Sequence, residues 1–224
     1  MTGQPEIVER VRGVLATIPP HVEVLAAAKT RTPDEVREAI AGGVRLIGQN
    51  YVQEAERAIE ALGRGTAQWN LIGHLQRNKA KAAVRLFDTV ESVDSVRIAT
   101  ALDREAAKID RCLPVLIEIN SAREPQKSGV LPEEAEAVIR EIAEMSSLRI
   151  EGLMTMGPLV ADPESLRPYF AETRRLLDHV AALRVPNVEM RTLSMGMSDS
   201  YRVAIDEGAT RVRLGTVLFG PRAV

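Results

Sequence analysis

The chain has 224 residues, of which 45% are hydrophobic and 27% are charged, with a formal net charge of −2 at pH 7. This is an ordinary globular composition with no basic excess to hold nucleic acid. The sequence contains no apolar run of about 18 residues, the length that a membrane-spanning helix needs. The single cysteine excludes an internal disulfide, and the first residues do not resemble a signal peptide, so we expect a cytoplasmic protein.

In chain order, short apolar stretches alternate with amphipathic stretches of helical periodicity. The first helix is predicted at about residues 4–18, and the second opens with Thr32 as N-cap, Pro33 and Glu35. The apolar stretches predict strands at residues 22–28, 44–48, 68–73, 87–92, 113–120, 148–154, 187–194 and 210–215. Further helices are predicted at residues 51–62, 75–86, 95–109, 132–145 and 163–183 and, in a short form, near 199–207.

Eight strands that alternate with helices indicate a parallel sheet with right-handed crossovers. Eight such repeats in a chain of this length favour a closed (β/α)₈ (TIM) barrel. The alternative is an open, doubly wound sheet, which usually carries a glycine-rich fingerprint after its first strand. Here that place holds Lys29 and Thr30. No linker or change of composition divides the chain, so we expect one domain over residues 1–224.

Active sites of (β/α)₈ barrels lie at the carboxyl ends of the strands, and Lys29 directly follows the first predicted strand. A lysine at the edge of an apolar core is a candidate for imine chemistry, because desolvation favours its neutral amine. The alternative is a lysine that extends from the strand end to solvent. The three histidines and one cysteine are too far apart in sequence for metal-ligand spacing.

Small and polar residues follow the last two predicted strands, where barrels commonly bind phosphate. Ser198 is predicted to cap a short helix, whose free N–H groups suit an anion. Gly215 and Thr216 form a second donor-rich turn after the last strand. Alternatively, Ser198 only caps the helix and no ligand binds there. Strand alternation places Arg211 and Arg213 on one side of that strand, so that Arg213 can reach the barrel mouth.

The chain resembles the pyridoxal 5′-phosphate (PLP) homeostasis proteins, which share the barrel of the alanine racemase N-terminal domain. The resemblance extends from about residue 22 to residue 220. The segments that carry it are AAAKTRTP (26–33), IGQNYVQEA (47–55), WNLIGHLQRNKAK (69–81), ESVDS (91–95), GLMTM (152–156), LSMGMSDS (193–200) and VRLGTVLFG (212–220).

The resemblance implies a role for six residues. Lys29 matches the Schiff-base lysine, Asn50 a cofactor-side asparagine, Ser198 the phosphate-binding serine, Gly215 and Thr216 the phosphate turn, and Arg213 the arginine at the pyridine nitrogen. The chain departs from the family at Gln49 and Asn70, where Glu and His are common, which alters local charge without removing a cofactor anchor.

Two functions are compatible with such a site. The first is a non-catalytic PLP carrier or regulator in PLP homeostasis, with apo forms of PLP enzymes as candidate acceptors. The second is a PLP-dependent amino-acid racemase. Alanine racemase needs a second domain that supplies a catalytic tyrosine, and the chain has no room for it after the barrel. Tyr51 is the tyrosine nearest to a strand end, but it lies at the start of a predicted helix. We therefore expect the carrier, as a monomer that binds neither nucleic acid nor membrane.

Overall fold

The computed structural model describes residues 6–221. Its centre is a closed barrel of eight parallel strands in chain order, in which each strand pairs with the next and the eighth pairs with the first. The strands are β1 (Glu23–Ala27), β2 (Leu46–Gln49), β3 (Gln68–Leu71), β4 (Thr89–Val93), β5 (Leu113–Ile119), β6 (Leu148–Thr155), β7 (Val188–Ser194) and β8 (Arg211–Leu214). The predicted barrel is confirmed, and the closing pair of strands excludes the open sheet.

Helices surround the barrel, in the order that the sequence predicts. They are α1 (Ile7–Leu15), α2 (Pro33–Gly42), α3 (Val52–Leu62), α4 (Ala80–Leu86), α5 (Val96–Ala107), α6 (Ala135–Ala143), α7 (Arg167–Leu183), α8 (Tyr201–Asp206) and α9 (Thr216–Phe219). Residues 4 and 5 of the predicted first helix lie outside the described residues. None of the helices within residues 6–221 combines the length and apolar character needed to cross a membrane.

Local sequence explains the beginning of α2. The Thr32 side chain accepts a hydrogen bond from the Glu35 backbone N–H, and the Glu35 carboxylate accepts one from the Thr32 backbone N–H. This reciprocal capping satisfies two N–H groups that a helix start otherwise leaves unpaired. Pro33 occupies the first turn, where its missing N–H costs nothing. The predicted capping box is therefore confirmed.

Strand alternation divides the buried residues between two regions. Val24 and Ala26 pack with the helices in the main hydrophobic core, and Val212 and Leu214 of β8 do the same. The residues between them face the interior of the barrel, and in β8 these residues are arginines. The barrel interior therefore contains charged groups that need partners, and those partners determine the arrangement of the site.

Candidate functional site

Lys29 lies two residues after the end of β1, at the mouth of the barrel, and is half-buried. Its Nζ atom is 5.6 Å from the centroid of the Tyr51 ring, which is within cation–π distance. Among residues 6–221, no acceptor or carboxylate pairs with this amine. The Lys29 amine thus contacts the Tyr51 ring and forms no hydrogen bond within these residues.

Asn50 follows β2 and lines two adjoining cavities of about 200 and 330 Å³ at the barrel mouth. Gly73, after β3, packs directly against it. A Cβ atom on Gly73 would stand 2.4 Å from the Asn50 carbonyl oxygen, so only glycine fits there. His74 lines both cavities, and its Nδ1 is 3.0 Å from the Asp94 carboxylate, which fixes the ring.

Ser198 differs from its predicted role as the cap of the short helix near residues 199–207. That helix, α8, begins at Tyr201 with Ser200 at its N-cap, because residues 198–200 form a turn in which the Ser200 N–H donates to the Met197 carbonyl. The Ser198 Oγ instead accepts hydrogen bonds from the backbone N–H groups of Gly215 (3.2 Å) and Val217 (3.4 Å). The two predicted phosphate elements therefore do converge, but around the start of α9.

The turn after β8 is a short helix rather than an open turn. Gly215 is its N-cap, and Thr216 is the first residue of α9. Four residues are too few to show a helical period in sequence, so α9 was not predicted. A Cβ atom on Gly215 would lie 3.5 Å from the Ala27 carbonyl oxygen. The start of α9 therefore lies beside Ala27. Ala27 is two residues before Lys29, which corresponds to roughly 7 Å of extended chain.

The predicted orientation of Arg213 into the barrel is confirmed. Its side chain is only 3% exposed, and its Nη1 and Nη2 atoms donate to the Ser194 Oγ and to the Thr155 carbonyl, both at 2.9 Å. Ser194 and Thr155 are the last residues of β7 and β6, so the guanidinium lies at the level of the barrel mouth. Burial lowers the pKa of Arg213, an effect that the carboxylates of Glu91 and Glu118 oppose.

Sequence reasoning did not identify Glu118, which is the acidic residue of β5, is half-buried and lines the smaller cavity. Burial raises its pKa to about 7, and the charge of Asp94 adds to this rise, whereas Arg213 opposes it. The signal was available in the sequence, because an acidic residue near the end of an otherwise apolar strand rarely occurs without a functional or structural reason.

The predicted site residues fall into four separate groups within residues 6–221. Lys29 meets Tyr51, Asn50 meets Gly73, and Ser198 meets Gly215; Arg213 belongs to a separate hydrogen-bonded cluster inside the barrel. No hydrogen bond or ion pair joins Lys29 to the other predicted site residues in this part of the chain. Asn50 and Gly73 line both cavities at the mouth and Tyr51 lines the larger one, while Lys29, Ser198 and Gly215 follow β1, β7 and β8.

The two departures from the family pattern lie inside the structure. Asn70 is 1% exposed and donates through its Nδ2 to the Glu91 carboxylate at 2.7 Å. Gln49 is equally buried, and its Oε1 has no hydrogen-bond partner among the residues described. A polar oxygen buried without a partner is costly to stability, and the Asn70 Oδ1 is in the same condition.

Comparison with known proteins identifies the family. The family model described as "Alanine racemase, N-terminal domain" matches residues 6–223. The protein of Aquifex aeolicus named "Pyridoxal phosphate homeostasis protein" is 40% identical over 200 residues, which cover 89% of this chain and 87% of that protein. The chain belongs to the pyridoxal phosphate homeostasis protein family. The Escherichia coli K12 member is 38% identical over 208 residues, covering 91% of this chain and 87% of that protein.

Solved structures agree with the family in fold. PipY of Synechococcus elongatus PCC7942, solved with PLP bound, has a TM-score of 0.87 and 34% identity and covers 96% of this chain and 100% of that one. An alanine racemase of Clostridium difficile 630 has a TM-score of 0.80 at 15% identity and covers 98% of this chain but 56% of that one. At this identity the racemase supports the predicted barrel type and nothing further.

Proposed function

We propose that this chain binds PLP covalently through a Schiff base on Lys29 and serves as a non-catalytic carrier in PLP homeostasis. The observation that carries this proposal is that the Gly215 and Val217 N–H groups both donate to the Ser198 Oγ. Gly215 lies near the carbonyl of Ala27, which is two residues before Lys29 in the chain. The family membership and PLP-bound PipY support the same ligand.

The donor set at Ser198 fits a phosphate group. The Gly215 and Val217 N–H groups both donate to the Ser198 Oγ, which leaves the Ser198 proton free to be donated to a phosphate oxygen. Such a cluster of N–H groups at a helix start is suited to a phosphate oxygen, with which it forms charge-assisted hydrogen bonds. Ser198, Gly215 and Thr216 would therefore hold the phosphate.

Arg213 and Asn50 would contact the ring at the barrel mouth. The guanidinium of Arg213 keeps further N–H groups beside those that bind Ser194 and Thr155. A permanently protonated arginine donates to the pyridine nitrogen and so opposes its protonation. PLP supplies an electron sink for amino-acid chemistry, and this sink is deepest when the ring nitrogen is protonated. Arg213 thus favours storage over turnover.

The position of Tyr51 also favours a carrier over a racemase. Racemisation requires a second proton donor on the face of the substrate opposite the lysine. Tyr51 instead lies beside Lys29, with its ring facing the amine at 5.6 Å, and half of its surface is exposed. An open mouth leaves the Lys29 linkage accessible to water and to acceptor proteins, among which we include apo forms of PLP enzymes.

The test is to incubate the PLP-loaded protein with L- and D-alanine in deuterated water and to follow the α-hydrogen, with Lys29→Ala protein and free PLP as controls. We expect exchange no faster than in the controls, together with transfer of PLP to an apo-enzyme. Exchange or racemisation at ordinary enzymatic rates of ~1 s⁻¹ or faster would overturn the carrier and support a racemase.

A further inference from the structure

A buried acidic residue lies at the centre of the barrel interior. Glu91, in β4, has no exposed surface. One of its carboxylate oxygens accepts hydrogen bonds from the Asn70 Nδ2 at 2.7 Å and from the Arg211 Nη1 at 2.8 Å. The other oxygen accepts from the Ser194 hydroxyl at 2.6 Å. With donors on both oxygens, this carboxylate acts only as an acceptor.

The Ser194 hydroxyl connects Glu91 to Arg213. A hydroxyl has one proton, and the carboxylate can only accept, so Ser194 must donate to Glu91. Its lone pairs then face the Arg213 Nη1, which donates to it at 2.9 Å. The direction of the Ser194 hydroxyl, and with it the acceptor that holds Arg213, is therefore determined by Glu91.

We propose that Glu91 is a positioning residue that holds Arg213, through Ser194, in the orientation that contacts the pyridine nitrogen of PLP. This inference rests on the proposed function. Glu91 does not reach the ligand itself, because its own contacts lie with Asn70, Ser194 and Arg211 in the barrel interior.

The charges of the cluster support a positioning role. Arg211 also binds Glu23, and the two are the first residues of β8 and β1. The Arg211 Nη2 is 2.6 Å from the Glu23 carboxylate. Arg211 therefore compensates both acidic residues, while the Arg213 guanidinium contacts two uncharged acceptors, Ser194 and the Thr155 carbonyl. Because Arg213 is not paired directly with a carboxylate, its positive charge stays available for the ligand.

Glu91→Gln would reverse the direction of this connection. The amide oxygen would remain with Asn70 and Arg211, because those two N–H donors need an acceptor. The amide NH₂ group would then face Ser194, whose hydroxyl would have to accept from it and compete with Arg213. Ser194→Ala removes the same connection without changing the buried charge.

The experiment measures retention of PLP and of its carbon analogue, in which a C–H group replaces the ring nitrogen. Wild-type protein should retain PLP about tenfold more tightly than the analogue, as expected for one hydrogen bond to a charged group. In Glu91→Gln and in Ser194→Ala this ratio should fall towards one. A purely structural role would weaken both ligands equally and leave the ratio unchanged.

Glu23→Gln is the matched control, because Glu23 binds Arg211 but not Ser194, and it should keep the wild-type ratio. The inference is overturned if the ratio persists in Ser194→Ala, or in a folded Glu91→Gln protein, or if wild-type protein does not discriminate between the ligands. If Glu91→Gln does not fold, the retention ratio of Ser194→Ala alone tests the inference. Failure of the proposed function is recognised separately, by the lack of a borohydride-reduced adduct on Lys29 in wild-type protein.

Discussion

The amine of Lys29 rests on the ring of Tyr51, with 5.6 Å between Nζ and the ring centroid. β1 and β2 are neighbouring strands, so the residues that follow them meet at the barrel mouth. The contact both orients the amine and covers one side of it. We therefore expect Tyr51 to shield one side of the Lys29 linkage, while the open mouth leaves the other side accessible.

Replacing Tyr51 tests this covering role. We expect Tyr51→Ala to release PLP to a scavenging apo-enzyme faster than wild type, because the ring no longer covers one side of the Lys29 linkage. Tyr51→Phe retains the ring and should behave as wild type. A release rate in Tyr51→Phe that matches that of Tyr51→Ala would show that the Tyr51 hydroxyl, and not the ring, slows the release of PLP.

Ser198→Ala tests the phosphate site. Loss of one charge-assisted hydrogen bond costs ~1.5–3 kcal/mol, so the variant should retain PLP at least about tenfold more weakly. Pyridoxal, which lacks the phosphate, should bind weakly to both proteins. Ser200→Ala is the control, because the Ser200 hydroxyl accepts from the Met197 N–H and does not contact Gly215. Equal affinity of wild-type protein for pyridoxal and PLP would contradict the assignment.

Gly73→Ala tests the placement of Asn50. The new methyl group would meet the Asn50 carbonyl oxygen at 2.4 Å and its Cα at 2.7 Å. Overpacking of this kind costs about 1–3 kcal/mol of stability, and the displaced Asn50 should weaken PLP retention, measured by equilibrium dialysis. Gly13→Ala, in the exposed face of α1 with no atom within 4 Å, should instead stabilise the protein by about 0.5–1 kcal/mol. Unchanged stability and retention in Gly73→Ala would refute this account.

Glu118 predicts a dependence of stability on pH. Its pKa is raised to about 7 in the folded protein, chiefly by burial, with Asp94 adding to the rise and Arg213 opposing it. From about pH 4.5 to pH 7 the unfolded chain ionises this group while the folded protein keeps its proton, so the Glu118 contribution to stability falls as pH rises. Above pH 7 the penalty is constant.

Glu118→Gln removes this penalty while keeping the size of the side chain. Urea unfolding should show little difference from wild type at pH 4.5 and a gain of about 1–3 kcal/mol at pH 8. Glu144→Gln, an exposed substitution, should show no such pH-dependent gain. A Glu118→Gln effect that is the same at both pH values would rule out the raised pKa.

Much of the fold follows from the sequence, because the alternation of apolar and amphipathic segments specifies eight strands and their helices. Every strand begins and ends within two residues of its prediction. Hydrophobic periodicity does not separate α-helix from 3₁₀ geometry. Accordingly, the helices predicted at 75–86, 132–145 and 163–183 begin with short 3₁₀ turns at Arg77–Lys79, Pro132–Glu134 and Pro163–Leu166.

The placement of the candidate site residues was predictable where topology alone determines position. Lys29 and Asn50 follow strands and Arg213 is the next-to-last residue of β8, and a barrel brings those strand ends together. The cluster of Glu91 with Ser194 and Arg211 was not predictable, because it depends on strand register. Register shifts occur between β4 and β5 and between β6 and β7, and these shifts decide which interior side chains meet.

The most direct test of the central claim is borohydride reduction of the PLP-loaded protein, followed by peptide mapping. We predict a single reduced adduct on Lys29, and its loss in a Lys29→Ala protein that still unfolds cooperatively. Lys127 and Lys79 provide the internal comparison, because each lines one of the two cavities at the barrel mouth. A principal adduct on either of these lysines in wild-type protein would contradict the account.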